Sequence, residues 1–210
     1  NGTSYMAFFQ PGIDWRITDM VNLKLAASYY MFRNLKDLDF TTRDSTMGDF
    51  KWSDFKRNTM INSGKTLKYK YDAPTFEAEL GFNKPFGDVI PYVGIFGQYT
   101  RNPDPSNENK GYMAGIKFGH ARVAKLGDWQ LAYAYRKLEV DAWPQFLPYS
   151  DFYNGYTGAK GHQGQFTFGL AKNTSLGVNF IDAEPVAKSK GQSVTTGRQN
   201  LLQVDLNWKF

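Results

Sequence analysis

The sequence has no cysteine and no long apolar run. Because Cys is absent from all 210 residues, disulfide scaffolds and thiolate metal sites are excluded. No segment approaches the roughly 18 consecutive apolar residues that a membrane-spanning helix needs, and the mean hydropathy is −0.52. A transmembrane helix is therefore excluded. A transmembrane strand is not, because only every second side chain of such a strand faces lipid.

The distribution of charged residues and histidines gives little support for nucleic-acid binding, metal binding or catalysis. The net charge of +5 arises from both signs without a block of like charges, which gives little support for nucleic-acid binding. The two histidines, His120 and His162, have no HxH or HExxH spacing, so we expect no metal site and no cofactor. No spacing typical of an activated nucleophile is present, so we expect no enzyme activity.

Aromatic residues and glycine are abundant, with 17 Phe, 13 Tyr, 5 Trp and 20 Gly, which favours sheets and turns. Nine segments alternate apolar and polar residues with period two, the pattern of half-buried strands. They cover residues 5–15, 23–31, 75–82, 89–100, 112–118, 129–138, 165–170, 176–180 and 202–210. We expect a strand end or bulge at Pro11, which cannot donate to a strand ladder, and a bulge near Lys137-Leu138, where the alternation loses phase.

The connections between segments alternate in length: those after odd-numbered segments are shorter, and those after even-numbered segments are longer and polar. Outer-membrane barrels have short periplasmic turns and long external loops. The predicted fold is therefore all-β, an antiparallel transmembrane β-barrel forming one domain over residues 1–210. Because nine strands do not make the even number usual in such barrels, we expect residues 1–210 to be the C-terminal part of a larger barrel.

The longest external loop is predicted at about residues 34–71. It is long enough to fold into the pore as a constriction or to cap it from outside. A mobile surface loop is the slightly favoured interpretation.

The same orientation predicts two belts of interfacial aromatic side chains in contact with outer-membrane lipid. The periplasmic belt consists of Trp15, Phe82, Phe118, Trp129, Trp208 and Phe210. The external belt consists of Tyr5, Tyr29, Tyr99, Tyr112 and Tyr135.

The opposite face of each strand is predicted to line a water-filled lumen. Its candidate residues are Asp14, Arg16, Lys24, Glu77, Glu79, Lys117, Arg136, Gln165, Thr167, Asn179, Gln203, Asp205 and Lys209. Both signs of charge occur, so ion selectivity stays open. Glu77 and Glu79 could together suit a cation or form a catalytic pair, but two solvated wall charges are the favoured interpretation.

Three stretches resemble a bacterial family described only as putative porin. They are Pro11-Gly12-Ile13-Asp14-Trp15-Arg16 with Leu23 to Tyr30, Gly127 to Ala142 with Ser150-Asp151-Phe152, and Asn200 to Phe210. The resemblance implies an outer-membrane channel whose full chain is longer and whose solute is unassigned. The terminal Phe210 also resembles the signal by which the barrel assembly machinery recognises its clients.

The predicted function is passive diffusion of ions or small polar solutes through an outer-membrane porin. One alternative is a structural or interaction barrel that sheathes or binds a partner protein in the outer membrane. Another is a soluble β-sandwich or lipocalin-like barrel, whose apolar face would line its interior. The pattern leaves the oligomeric state open, a homo-oligomer included.

Overall fold

The computed structural model describes residues 3–36, 58–63, 65–186 and 197–209. Its strands are β1 (Tyr5–Phe9), β2 (Gly12–Arg16), β3 (Val21–Arg33), β4 (Met60–Ile61), β5 (Thr66–Leu67), β6 (Ala73–Phe86), β7 (Ile90–Arg101), β8 (Lys110–Gly119), β9 (Trp129–Leu138), β10 (Ala159–Ala171), β11 (Thr174–Pro185) and β12 (Gln199–Trp208). A single turn of 3-10 helix spans Tyr153–Gly155. Within the described ranges, no helix has the length and apolar character to cross a membrane.

Ten of the strands form one antiparallel sheet. Strands β1 and β2 both pair with β3, and the sheet continues through β6, β7, β8, β9, β10 and β11 to β12. Strands β4 and β5 form a separate two-stranded sheet. All nine alternating segments are strands, so the all-β antiparallel prediction is confirmed. In the part of the chain that the structure describes, the sheet ends at β1–β2 and at β12 and is not closed into a barrel.

The connections reproduce the predicted alternation of lengths with one exception. Short turns join β2 to β3, β6 to β7 and β10 to β11, and longer segments join β3 to β6, β9 to β10 and β11 to β12. The connection from β8 to β9, residues 120–128, is not shorter than that from β7 to β8, residues 102–109. We call the two ends of the sheet the turn end and the loop end accordingly. The loop end includes residues 58–72, 102–109 and 139–158.

Pro11 interrupts the first edge of the sheet, as predicted. Phe9 pairs with Tyr29 and Gly12 pairs with Ala26, so the register is the same on both sides of the break. The Ala27 amide donates to the Pro11 carbonyl at 3.1 Å. Residues in such a pair normally exchange two bonds, and proline cannot return the second because it has no N–H.

The bulge predicted near Lys137 and Leu138 is wrong. Both residues pair regularly with β8 and with β10. The phase is lost there because β9 ends at Leu138. Register shifts occur instead between Asn83 and Phe86 and between Gly169 and Ala171, both at the turn end.

The sheet has two chemically different faces. The apolar face carries large side chains that remain 40–71% exposed, including Ile13, Trp15, Leu25, Phe76, Ile95, Leu131, Phe166, Phe180, Leu202, Val204, Leu206 and Trp208. The polar face carries the alternate residues, among them Lys24, Glu79, Lys117 and Asn179. Monomeric soluble proteins rarely expose an apolar area this continuous.

The two clusters of buried apolar side chains lie on the polar face, at the loop end. One cluster joins Phe32 of β3 to Leu35, Leu67 and Tyr71. A second joins Phe152 and Tyr153 to Ala159, Ile181 and Ala183 of β10 and β11. The core is therefore built between the sheet and its own loops, and the apolar face takes no part in it.

Candidate functional site

Twelve of the thirteen predicted lumen residues lie within strands, and the register places all twelve on the polar face. Asp14 is opposite Lys24, which is opposite Glu79. Gln165 is opposite Asn179, which is opposite Gln203. The others are Arg16, Glu77, Lys117, Arg136, Thr167 and Asp205. Lys209 follows β12, and its amide bonds to the Asn173 carbonyl at the turn end.

Glu79 is the centre of a charged group on β6, β7 and β8. The Lys117 Nζ lies 2.6 Å from one of its carboxylate oxygens, and the Tyr92 hydroxyl donates to the other at 2.6 Å. On the adjacent strand β3, the Lys24 Nζ lies 4.0 Å from Asp14 of β2. This alternation of sign across neighbouring strands gives the face local fields of both signs, without a single-sign patch.

Glu77 has a different partner from Glu79. Its carboxylate accepts from the Gln98 amide at 2.8 Å. The two glutamates are thus bound separately to β7 and β8 side chains. Among the described residues, no group of three or more His, Asp or Glu is arranged to hold a metal ion.

A row of amides crosses the polar face further along the sheet. Gln163 Nε2 donates to Asn179 at 2.9 Å, and Asn179 Nδ2 donates to Gln203 at 2.8 Å. Gln203 Nε2 continues the row to Asp151 at 3.1 Å. The sequence does not predict Gln163 as a lumen residue because the seventh alternating segment begins at residue 165, whereas β10 begins at Ala159.

Residues 139–158, here called the crossing loop, fold against the polar face at the loop end. The Trp143 ring packs edge-on against Tyr30 of β3, with centroids 4.8 Å apart. Asp151 reaches Gln203 of β12. Side chains of one loop therefore contact strands near both edges of the sheet.

Arg136 of β9 lies beneath the crossing loop. The centre of its guanidinium is 4.7 Å from the Phe152 ring centroid and 5.7 Å from that of Tyr149. Both distances suit cation–π attraction. The sequence predicted a long polar connection between the sixth and seventh segments but not its packing against the sheet, which alternation within strands cannot reveal.

The predicted aromatic belts occupy opposite ends of the apolar face. Trp15, Phe82, Phe118, Trp129 and Trp208 lie toward the turn end. Tyr5, Tyr29, Tyr99, Tyr112 and Tyr135 lie toward the loop end, where Tyr99 is paired with Tyr112. Phe210 lies outside the described residues.

A family model described as "Putative porin" matches residues 69–210, from just before β6 to the last residue of the sequence. The chain belongs to the putative porin family. No curated protein and no solved structure matched it. The matched region of this putative porin includes the crossing loop and ten of the thirteen predicted lumen residues, from Glu77 onward.

In this putative porin the crossing loop is bound to residues 58–72 by buried amides. The Asn58 amide N–H donates to Gln145 at 3.0 Å, and the Gln145 N–H donates to the Asn58 side chain at 2.8 Å. Asn58 Nδ2 also donates to the carbonyls of Val140 and Trp143. Both Asn58 and Gln145 are at least 97% buried, so these bonds are not exchanged with water.

Asp141 makes a second connection between the same segments. Its carboxylate accepts from the Thr59 amide at 2.7 Å and from the Tyr71 hydroxyl at 2.9 Å. Burial raises the pKa of Asp141 above its usual range, although these donors act in the opposite direction. The Asn102 side chain joins the carbonyls of Asp141 and Lys70, each at 2.8 Å. Three loops are thus held as one body.

The sequence predicts the longest loop at about residues 34–71, as a constriction, an external cap or, slightly favoured, a mobile surface loop. Residues 37–57 and 64 of it lie outside the described residues. The described part is packed: Leu67 and Tyr71 are fully buried. In the described part of the chain, both residues 58–72 and the crossing loop pack against the polar face.

Proposed function

We propose that this porin-family chain forms part of a β-barrel channel in the Gram-negative outer membrane. Ions or small polar solutes diffuse passively through its water-filled lumen. The observation that carries the proposal is the separation of the two faces of the sheet. Large apolar side chains remain exposed on one face. The other face carries ion pairs and hydrogen bonds between side-chain amides.

The apolar face is the proposed contact with outer-membrane lipid. Burying exposed apolar surface contributes about 25 cal/mol per Å², and aliphatic residues lie between the two aromatic belts as a lipid-facing barrel surface requires. In the proposed barrel the free edges β1–β2 and β12 pair with further strands, because an open edge cannot face hydrocarbon. Phe210 is the proposed contact with the barrel assembly machinery.

The polar face is the proposed lumen wall. Its side chains include both charges and amides, which suit hydrated solutes. Lys24 and Lys117 alternate with Asp14 and Glu79 across the polar face. We therefore propose that this row of residues excludes neither cations nor anions strongly from the lumen. The crossing loop narrows the lumen at the loop end.

Single-channel recording in planar bilayers tests this function with the full-length protein. Gly177 faces the polar side, and a Cβ there would meet no atom closer than 3.6 Å. We expect Gly177→Trp to lower the conductance because the ring occupies the lumen. Val178→Trp, the matched control on the apolar face, should leave it unchanged.

A correctly folded full-length protein that carries no ion current at any voltage would overturn the proposed function. Equal conductance in Gly177→Trp and the wild-type protein would show that the polar face of β11 does not line the lumen.

A further inference from the structure

A cavity of about 220 Å³ lies between the crossing loop and the polar face of the sheet. Aromatic residues form much of its wall: Tyr30, Trp143, Tyr149, Phe152 and Tyr156. Thr75, Thr100 and Gln98 add hydroxyl and amide groups. A largely apolar wall with a few polar groups is the usual composition of a small-molecule site.

The charge in this cavity is of one sign. The residues around it include Arg136 and Lys137, and no Asp or Glu is among them. Lys137 already pairs with Glu139 at 2.9 Å. Arg136 is therefore the cation that the cavity leaves available to a solute.

The guanidinium of Arg136 lies beside aromatic rings and not beside a carboxylate of the described residues. Phe152 and Tyr149 lie beside its guanidinium, and no carboxylate among the described residues pairs with it. By contrast, Lys117, Lys24 and Lys137 each have an acidic neighbour. A half-buried cation without an anion is costly, and stacking on rings recovers only part of that cost.

A guanidinium held in this way is prepared for an anion. Its position is fixed by the two rings, and its N–H groups can form two parallel bonds to one carboxylate. Fixing the group beforehand lowers the entropy that binding costs. The ring of the solute would then lie among the aromatic walls, where offset and edge-on packing are favourable.

We propose that this cavity is a binding site for small aromatic carboxylates, with the carboxylate on Arg136 and the ring beside Tyr30 and Trp143. The proposal rests on the proposed channel function, since the site would lie within its lumen. It adds a solute class to that function: monocarboxylates with a single six-membered ring, retained during passage by a weak internal site.

Isothermal titration calorimetry on the full-length protein in detergent measures binding at this site, whether or not the protein conducts ions. The probes are benzoate, benzyl alcohol, which has the ring without the charge, and acetate, which has the charge without the ring. We expect benzoate to bind more tightly than either of the others. Arg136→Gln should weaken benzoate binding by about tenfold or more, the loss expected for a paired charged hydrogen bond.

Two further variants separate the charge of Arg136 from its geometry. Arg136→Lys keeps the charge but loses the planar fork, so it should bind benzoate with intermediate affinity. It also serves as the test if Arg136→Gln does not fold. Arg122→Gln, in the exposed turn between β8 and β9, removes the same charge elsewhere and should bind like the wild type.

Equal binding of benzoate and benzyl alcohol, or unchanged benzoate affinity in Arg136→Gln, would overturn the proposal. Selective benzoate binding by a protein that carries no current would leave the site standing and overturn the channel function. A protein that conducts ions but does not bind benzoate selectively would overturn the proposed site and leave the channel function standing.

Discussion

Single buried amides determine how the loops are held in this protein. Asn58 is 3% exposed and its side chain bonds to three backbone groups of the crossing loop. Buried carbonyls and amides that lose a partner keep the full cost of their desolvation, about 1–3 kcal/mol each. One side chain therefore controls much of the free energy that keeps the crossing loop against the rest of the molecule.

Asn58→Ala should loosen the crossing loop while leaving the sheet intact. We expect its local opening free energy to fall by on the order of 3 kcal/mol, because the Gln145 amide and the Val140 and Trp143 carbonyls lose their partner. Hydrogen–deuterium exchange over residues 139–158 measures this change. Asn107→Ala is the matched control, since that side chain is exposed and its bond among the described residues is to Ser106. Equal exchange in the two variants would contradict this role of Asn58.

At the scale of elements, strands and loops differ in how far the sequence could predict them. The alternation that defines β3 or β12 is local, so nine segments could be located from one sequence. The Asn58–Gln145 pair joins residues 87 positions apart, and no local pattern encodes such a contact. For the same reason the sequence predicts the crossing loop only as a connection. The loss of alternation near Lys137-Leu138 marks the end of β9 and not the predicted bulge.

The turn between β8 and β9 is fixed by one carboxylate. Asp128 accepts from the amides of Ala124 and Lys125 at 2.9 and 3.0 Å. The His120 Nε2 lies 3.4 Å from the same residue. The backbone N–H groups, that of Ala124 first, lower the pKa of Asp128 below its usual range.

Acid should therefore loosen this turn. Because the pKa of Asp128 is lower in the folded state than the value of about 3.9 in an unfolded chain, its stabilising contribution is present above a pH of about 4. It is lost as the pH falls through the folded-state pKa. We expect protection of the Ala124 and Lys125 amides, corrected for intrinsic exchange, to decline below a pH of about 4. In Asp128→Asn, which does not titrate, protection independent of pH is expected; a decline in this variant would assign the effect to another group.

At the scale of the whole molecule, the polar and apolar faces are the central feature. Period-two alternation predicted which residues share a face, because pairing preserves that alternation from strand to strand. Asp14, Lys24 and Glu79 therefore lie in one row although they are far apart in sequence. Their actual partners, such as Tyr92 for Glu79, depend on register and side-chain length and could not be predicted.

Closure of the sheet is also a property of the whole molecule. The described sheet retains two edges, β1–β2 and β12. The alternation within strands specifies the two faces of the sheet but contains no information on which edges pair. Closure of the sheet into a barrel is therefore part of the proposed function.

The most direct test of the account is the accessibility of alternate residues along β11. The 210 residues contain no native cysteine, so single cysteines can be introduced at 175, 177 and 179 on the polar face and at 176, 178 and 180 on the apolar face. Each full-length variant is placed in lipid bilayers and treated with a water-soluble, membrane-impermeant thiol reagent. The account predicts labelling at the three odd positions and protection at the three even positions. Labelling of both sets, or of the even set alone, would contradict it.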